Sequence, residues 1–180
     1  TVECATQIPE AERSITLRQL FSHRSGVQHY SNGVSRPEPP VDLINHPESN
    51  TGMEWALPYF ATNPLVALPG TRTSYSTFGY NLAGVALEYA LQADFETLVL
   101  RNISDRVGMN SFQADRAWLE IPDRAAGYVL VDGVSYPQRT DDVSWKLAGG
   151  GFMSTVVDLA RYCGGLMDDV LLPERLRNNP

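Results

Sequence analysis

A mainly helical fold carrying one small β-hairpin is what this sequence predicts, and three observations predict it. Phe78, Leu82, Val85 and Tyr89 recur at spacings of three and four, which places them on one face of a helix. Residues 127–136, GYVLVDGVSY, place strand-forming residues on both sides of Asp132-Gly133, a pair that readily supplies the positive φ values of a type I′ turn. Further helical runs lie between recognisable caps at 15–22, 52–61, 95–107 and 154–167. No repeat, heptad or low-complexity tract interrupts them, so residues 1–180 read as a single region.

Taken in order, residues 1–13 are polar and irregular. Ser14 is then placed to cap a short helix over 15–22, with Leu17, Leu20 and Phe21 on one face and Gly26 as its left-handed C-cap. His23 sits at the end of that helix, where its ring can bond free carbonyls, a structural role. Residues 27–50 are rich in Pro, Ser, Asn and Gly and read as a long loop. Within it His29 and Tyr30 could line a substrate mouth, although surface packing is the simpler reading. TGME at 51–54 has the form of a capping box for a helix over 52–61, which Asn63-Pro64 closes.

The central segment follows. Pro69-Gly70 marks a turn, Tyr75 lies in a short polar stretch, and Ser76 or Thr77 is the natural N-cap of the helix bearing Phe78. Tyr75 is thereby expected at the mouth of a helix N-terminus, held by a rigid element on its C-terminal side. Asp94 opens the helix over 95–107, with Leu98, Ile103 and Val107 facing inward and Gly108 as its C-cap. Residues 109–123 read as loop, and TVVD at 155–158 is close to a capping box for the last helix.

Composition excludes several functions. A 43% hydrophobic and 19% charged content describes a globular chain, and 180 residues suffice for a proper core. A net charge of −7, with no cluster of Lys and Arg, argues against nucleic-acid binding. No apolar run is long enough for a transmembrane segment. Cys4 and Cys163 lie near opposite ends; a disulfide is open, and two unpaired thiols with Cys163 on a buried helix face is the simpler reading. Neither cysteine has metal-ligand spacing, and His23, His29 and His46 are scattered, so no metal and no cofactor is expected.

Several motifs together resemble those of the serine beta-lactamase-like family, which spans class C beta-lactamases, penicillin-binding proteins and esterase relatives. YSTFGY at 75–80 resembles the family's Tyr-x-Asn region, and ITLRQLFSHRSG at 15–26 its His-Thr-Ser-Gly segment. VGM at 107–109, AGGGFMST at 148–155 and DLAR at 158–161 follow in the family's order, so the likeness runs from about residue 14 to 168. The wording is most similar to mitochondrial-type serine beta-lactamase-like proteins and their bacterial relatives. The resemblance implies the helical lobe of an α+β transpeptidase-like fold, lacking most of the central antiparallel sheet. It also implies that Tyr75 belongs to proton-transfer machinery beside a nucleophilic serine, acting on a small-molecule or peptide substrate.

Two departures qualify what the resemblance implies. The family's Ser-x-x-Lys is absent, since Lys146 is the sole lysine and Val143 stands three residues before it. The later Lys-Thr-Gly or His-x-Gly strand is absent too, so the chain reads as the middle of a larger protein. Thr77 occupies the place of the motif's asparagine and is a candidate substrate-binding residue, although one hydroxyl replaces an amide's donors and acceptor. As an N-cap it needs no substrate at all. Ser144 and Lys146 form the one Ser/Lys pair, but a separation of two points them apart on a helix. Gly149, Gly150 and Gly151 suit close backbone packing better than anion binding.

The expectations divide. One is a hydrolase lobe supplying Tyr75 to a serine it does not contain; the other is a non-catalytic scaffold or assembly module. In either case the lobe should expose apolar groups where the family's sheet would pack. The candidates are Leu17, Phe21, Phe152, Leu159 and Tyr162, with Tyr75 at the edge, a face suited to self-association.

Overall fold

The fold, described here from a computed structural model for residues 15–30, 52–138 and 142–177, is organised around a central helix. This helix, α2 (Thr77–Leu91), begins where the sequence places it: the Ser76 side chain accepts from the Gly79 amide at 2.9 Å. Its first three turns are buried almost all round. Phe78 and Val85 face an aromatic cluster, while Thr77, Asn81 and Gly84 face the segment around Trp145 and Ala148. Of the apolar face read from sequence, Phe78 and Val85 are buried and Leu82 partly so, and a second face of polar and small residues is buried beside it. The last turn emerges, leaving Tyr89 and Leu91 exposed.

Around α2 pack α1 (Leu17–Phe21), a 3₁₀ helix over Glu54–Tyr59, a second 3₁₀ turn over Ser144–Lys146, and α5 (Leu147–Gly150). The core joins Leu20, Val27, Met53, Leu57, Phe60, Phe78, Val85 and Trp145. Phe60 stacks on Phe78 at 4.5 Å, with Tyr30 and Trp145 about them. Of the α1 face expected from spacing, Leu20 is buried and Leu17 and Phe21 stay exposed.

Local chemistry corrects two of the expected caps. Thr16 caps α1 in a complete capping box with Gln19; Ser14 lies outside the described residues. His23, not Gly26, is the left-handed residue just after the helix, at φ 56°. Gly26 is also left-handed, and its missing side chain admits the backbone of Ala67. The helix expected over 52–61 is a 3₁₀ helix, and Met53 makes no side-chain cap. Pro58 lies inside it and has no N–H for an α-helical bond, and the segment takes the tighter three-residue register. Thr51 and the loop over 31–50 lie outside the described residues.

Beyond α2 the chain forms α3 (Phe95–Val99), a π turn (Leu100–Ser104) and α4 (Asp105–Val107), which together occupy the single helix expected over 95–107. Asp94 caps it through the Thr97 amide, and that hydrogen bond holds the Asp94 carboxyl below the usual carboxylate range. Gly108 closes it at φ 71°. The expected loop over 109–123 contains β1 (Gln113–Ala114), which pairs antiparallel with β4 (Phe152–Met153). The hairpin β2 (Tyr128–Val131) and β3 (Val134–Pro137) turns at Asp132-Gly133, as expected, with φ values of 50° and 79°.

The last long helix, α6 (Val156–Met167), is capped by Thr155 through the Asp158 amide, and α7 (Glu174–Arg177) follows. Asp158 is fully buried. One oxygen accepts from the Ser111 amide at 2.6 Å and the other pairs with Arg161 at 2.7 Å. The DLAR motif is therefore a brace that ties α6 to Ser111, two residues after the Gly-Met pair at 108–109. Cys163 is exposed, which corrects the buried face expected for it; besides Asp158, α6 buries Gly165, where a Cβ would come within 2.3 Å of Val107. Cys4 lies outside the described residues.

Candidate active site

Tyr75 sits in the extended segment immediately before α2 and is 61% exposed. Its neighbours on both sides are histidines. The His23 ring lies 4.5 Å from the Tyr75 ring, tilted by 40°, and the His29 ring meets it edge-on at 5.2 Å. Each imidazole also holds the start of α2. The Ser76 amide donates to His23 Nδ1 at 3.2 Å, and the Thr77 amide donates to His29 Nδ1 at 3.3 Å. Two donors that a helix N-terminus would otherwise leave to water are satisfied in this way.

The supports of this corner come from distant parts of the chain. The Ser76 hydroxyl donates to the Gln28 carbonyl at 2.7 Å while accepting from Gly79. Tyr80 donates to the Phe21 carbonyl at 2.8 Å, and its ring lies 5.0 Å from His23. The Ser74 amide donates to the His23 carbonyl at 2.7 Å. His29 has its pKa lowered, first by burial and then by the charges of His23 and Lys146, so the neutral ring is favoured. His23 does not bond the free carbonyls expected of it; its ring accepts an amide from another helix.

Thr77 is buried, and a Cβ on Gly149 would come within 2.7 Å of its methyl. Gly149 and Gly151 accordingly serve close packing, since on Gly151 a Cβ would meet Leu147 Cα at 2.7 Å, whereas Gly150 has φ 135° and open space around it. Asn81 is the polar residue that spacing did not single out. It is completely buried, donates to the Trp145 carbonyl at 2.7 Å, and leaves its Oδ1 without a hydrogen-bond partner among the described residues. A polar residue four positions after Thr77 on one helical face was the available signal.

Ser144 is buried in its 3₁₀ turn, and the Lys146 ammonium lies 5.7 Å from the Trp145 ring. A cavity of about 200 Å³ opens elsewhere, beside Glu88, Asp94, Glu96, Asp115, Arg116 and Ser144, and Tyr75 does not line it. Its carboxylates have internal duties. Glu96 pairs with Arg116, Asp115 with Arg124, and Glu88, raised in pKa chiefly by burial, accepts from the Phe95 amide. No group of three or more His, Cys, Asp or Glu is placed to hold a metal among the described residues. Among them, too, no helix is long and apolar enough to cross a membrane.

Leu17, Phe21 and Leu159 are exposed, whereas Phe152 and Tyr162 are half-buried. Phe152 stacks on Phe112 at 4.8 Å and approaches Phe95, which withdraws it from the open face expected for it.

A helical lobe wound about a buried central helix is a fold also found in solved penicillin-binding proteins. The penicillin-binding protein of Bacillus halodurans superposes with a TM-score of 0.73 at 22% identity, over 97% of this chain and 52% of that one. The chain belongs to the beta-lactamase family, whose Beta-lactamase model matches residues 6–179. Among curated relatives, Beta-lactamase-like protein 4 of Dictyostelium discoideum is 31% identical over 158 residues, 83% of this chain and 26% of its own length. Human serine beta-lactamase-like protein LACTB, mitochondrial, is 32% identical over 115 residues, 62% of this chain and 20% of its own length. The chain thus spans about a quarter or a fifth of these relatives.

Proposed function

We propose that this chain is the helical lobe of a beta-lactamase-related serine hydrolase and that it contributes Tyr75 to proton transfer. The observation that supports the reading is the placement of Tyr75, exposed on a rigid helix start and flanked by two imidazoles. In the proposed reaction a serine outside this chain attacks an ester, amide, peptide or lactam carbonyl. Its proton passes by way of Tyr75 to the leaving group, and water then hydrolyses the acyl-enzyme. The substrate is a small molecule or peptide. Thr77 would contribute through its hydroxyl alone, because its methyl packs toward Gly149.

The chain by itself is expected to show no turnover of nitrocefin or short-chain nitrophenyl esters, because it lacks Ser-x-x-Lys and Ser144 is buried. Turnover that survives purification and disappears in Ser144→Ala would overturn this in favour of a Ser-Lys dyad. A second reading, a non-catalytic scaffold with the same fold, is favoured by the missing nucleophile. The coding sequence on either side separates the two: Ser-x-x-Lys upstream and Lys-Thr-Gly or His-x-Gly downstream support the hydrolase, and their absence supports the scaffold.

The exposed Leu17 and Phe21 of α1 and Leu159 of α6 are proposed as contact residues, with a second copy of the lobe as one occupant. The chain alone should bind a hydrophobic dye or sediment above monomer mass, as expected of a large exposed apolar patch. A monodisperse, dye-silent monomer would refute that surface.

A further inference from the structure

Why two histidines should converge on one tyrosine is not answered by the helix-capping rule alone. Ser76 already supplies the cap of α2 through its own hydroxyl. His23 and His29 add acceptors for the next two amides, those of Ser76 and Thr77, and place their rings against the phenol between them. A backbone N–H is an unambiguous donor, so the ring atom facing it must be an unprotonated nitrogen. The ring form that makes these two hydrogen bonds is the neutral one with its proton on Nε2. The backbone fits this duty: His23 adopts the left-handed region at φ 56°, which turns its ring back onto the start of α2.

We infer that His23 and His29 are positioning residues for Tyr75, acting as neutral acceptors that fix the backbone on its C-terminal side and confine its ring. The catalytic consequence rests on the hydrolase reading above; the positional claim does not. Protonation of either ring turns its acceptor into a donor facing another donor, so acid should release the tyrosine. Among the described residues, the following titratable and charged groups lie around the two rings. His29 is faced by His23, Tyr30, Tyr75 and Lys146, and His23 by His29, Tyr75 and Tyr80. Burial first, and then the Lys146 ammonium and any charge that His23 takes up, depress the His29 pKa. The unfolded chain therefore takes up protons first as pH falls. The contribution of His29 to stability is complete above its unfolded value of about 6.5 and is lost as pH falls through the lower folded value.

Nuclear magnetic resonance on this chain tests the inference without turnover. Long-range imidazole spectra at neutral pH should show both rings with the proton on Nε2, and Tyr75 should show proximity to both. His29→Asn keeps an acceptor near the Nδ1 position and cannot titrate; His29→Phe keeps a ring and removes the acceptor. Hydrogen-exchange protection of the Thr77 amide should fall about tenfold in His29→Phe, the factor one net hydrogen bond supplies, and be retained in His29→Asn. Parallel changes should follow at Ser76 for His23→Asn and His23→Phe. On acidification the Tyr75 contacts should loosen in the unmodified chain, while in the double asparagine variant they should show no acid step. A proton on Nδ1 of either ring, or undiminished amide protection in both phenylalanine variants, would overturn the inference. Neither result would touch the hydrolase reading, which is decided by the flanking sequence and the turnover assay.

Discussion

Phe78→Ala is expected to destabilise the chain by about 3–5 kcal/mol, the usual loss for a phenylalanine removed from a packed core. For a chain of this size that lowers Tm by on the order of 10 °C. Phe78 is completely buried, stacked on Phe60 with rings inclined by 18°, and edged by Tyr30 at 6.0 Å. With Trp145 at 6.1 Å, these partners belong to three separate stretches of sequence, so the cavity cannot close by moving one of them. Tyr30 in turn carries His29, with ring centroids 3.9 Å apart, and the loss should propagate to the setting of Tyr75. The midpoint of urea unfolding would measure it. A cost below about 1 kcal/mol would mean that the aromatic cluster is not the core of this fold.

Gly26→Ala is expected to cost a comparable amount for a different reason. Gly26 has φ 79°, a region that costs an L-residue about 1–2 kcal/mol. Its new methyl would also stand 2.1 Å from the Ala67 carbonyl oxygen, and overpacking of that kind costs about 1–3 kcal/mol more. The two backbones cannot simply part, because the Val66 amide donates to the Gly26 carbonyl at 2.8 Å. Gly133→Ala supplies the control. It has the same φ of 79° with nothing within 4 Å of the new methyl, so it should lose the conformational part alone. Equal losses at the two positions, read from thermal unfolding, would show that the contact with Ala67 carries no energy.

What could be read from the sequence was what neighbouring residues decide among themselves. Ser76 capping α2, Thr155 capping α6, Gly108 closing α4 and the turn at Asp132-Gly133 are settled within four or five residues, and the structure shows each of them. Readings failed where a distant segment decides. Gly26 looked like a helix cap, and only the approach of Ala67, some forty residues on, shows why a glycine is needed there. The pairing of Gln113 with Met153 and of Ala114 with Phe152 is two residues long, too short for any alternation to register. The second buried face of α2 was missed because Thr77, Asn81 and Gly84 are polar or small. Their burial follows from Trp145, Ala148 and Gly149 lying against them.

The site divides along the same line. Tyr75 before a helix is visible in one stretch of sequence. That His23 and His29 flank it depends on α1 and the turn after it folding back across about fifty positions. Histidines in a loop and at a helix end give no periodic signal, and each reads as an isolated residue until the backbone brings them together.

The hairpin of β2 and β3 leaves both of its faces in solvent, with Tyr128, Leu130, Val131 and Tyr136 all at least half exposed. Its stem is closed by the Gln138 amide donating to the Gly127 carbonyl at 2.8 Å. A ribbon fastened at its base and free along its length is an interchangeable attachment, since its tip can be extended, trimmed or recoded without disturbing α2. Lengthening such a closed loop costs only about 0.6 kcal/mol per doubling. Variation among relatives of this lobe can therefore accumulate on the ribbon while the corner that holds Tyr75 keeps its form.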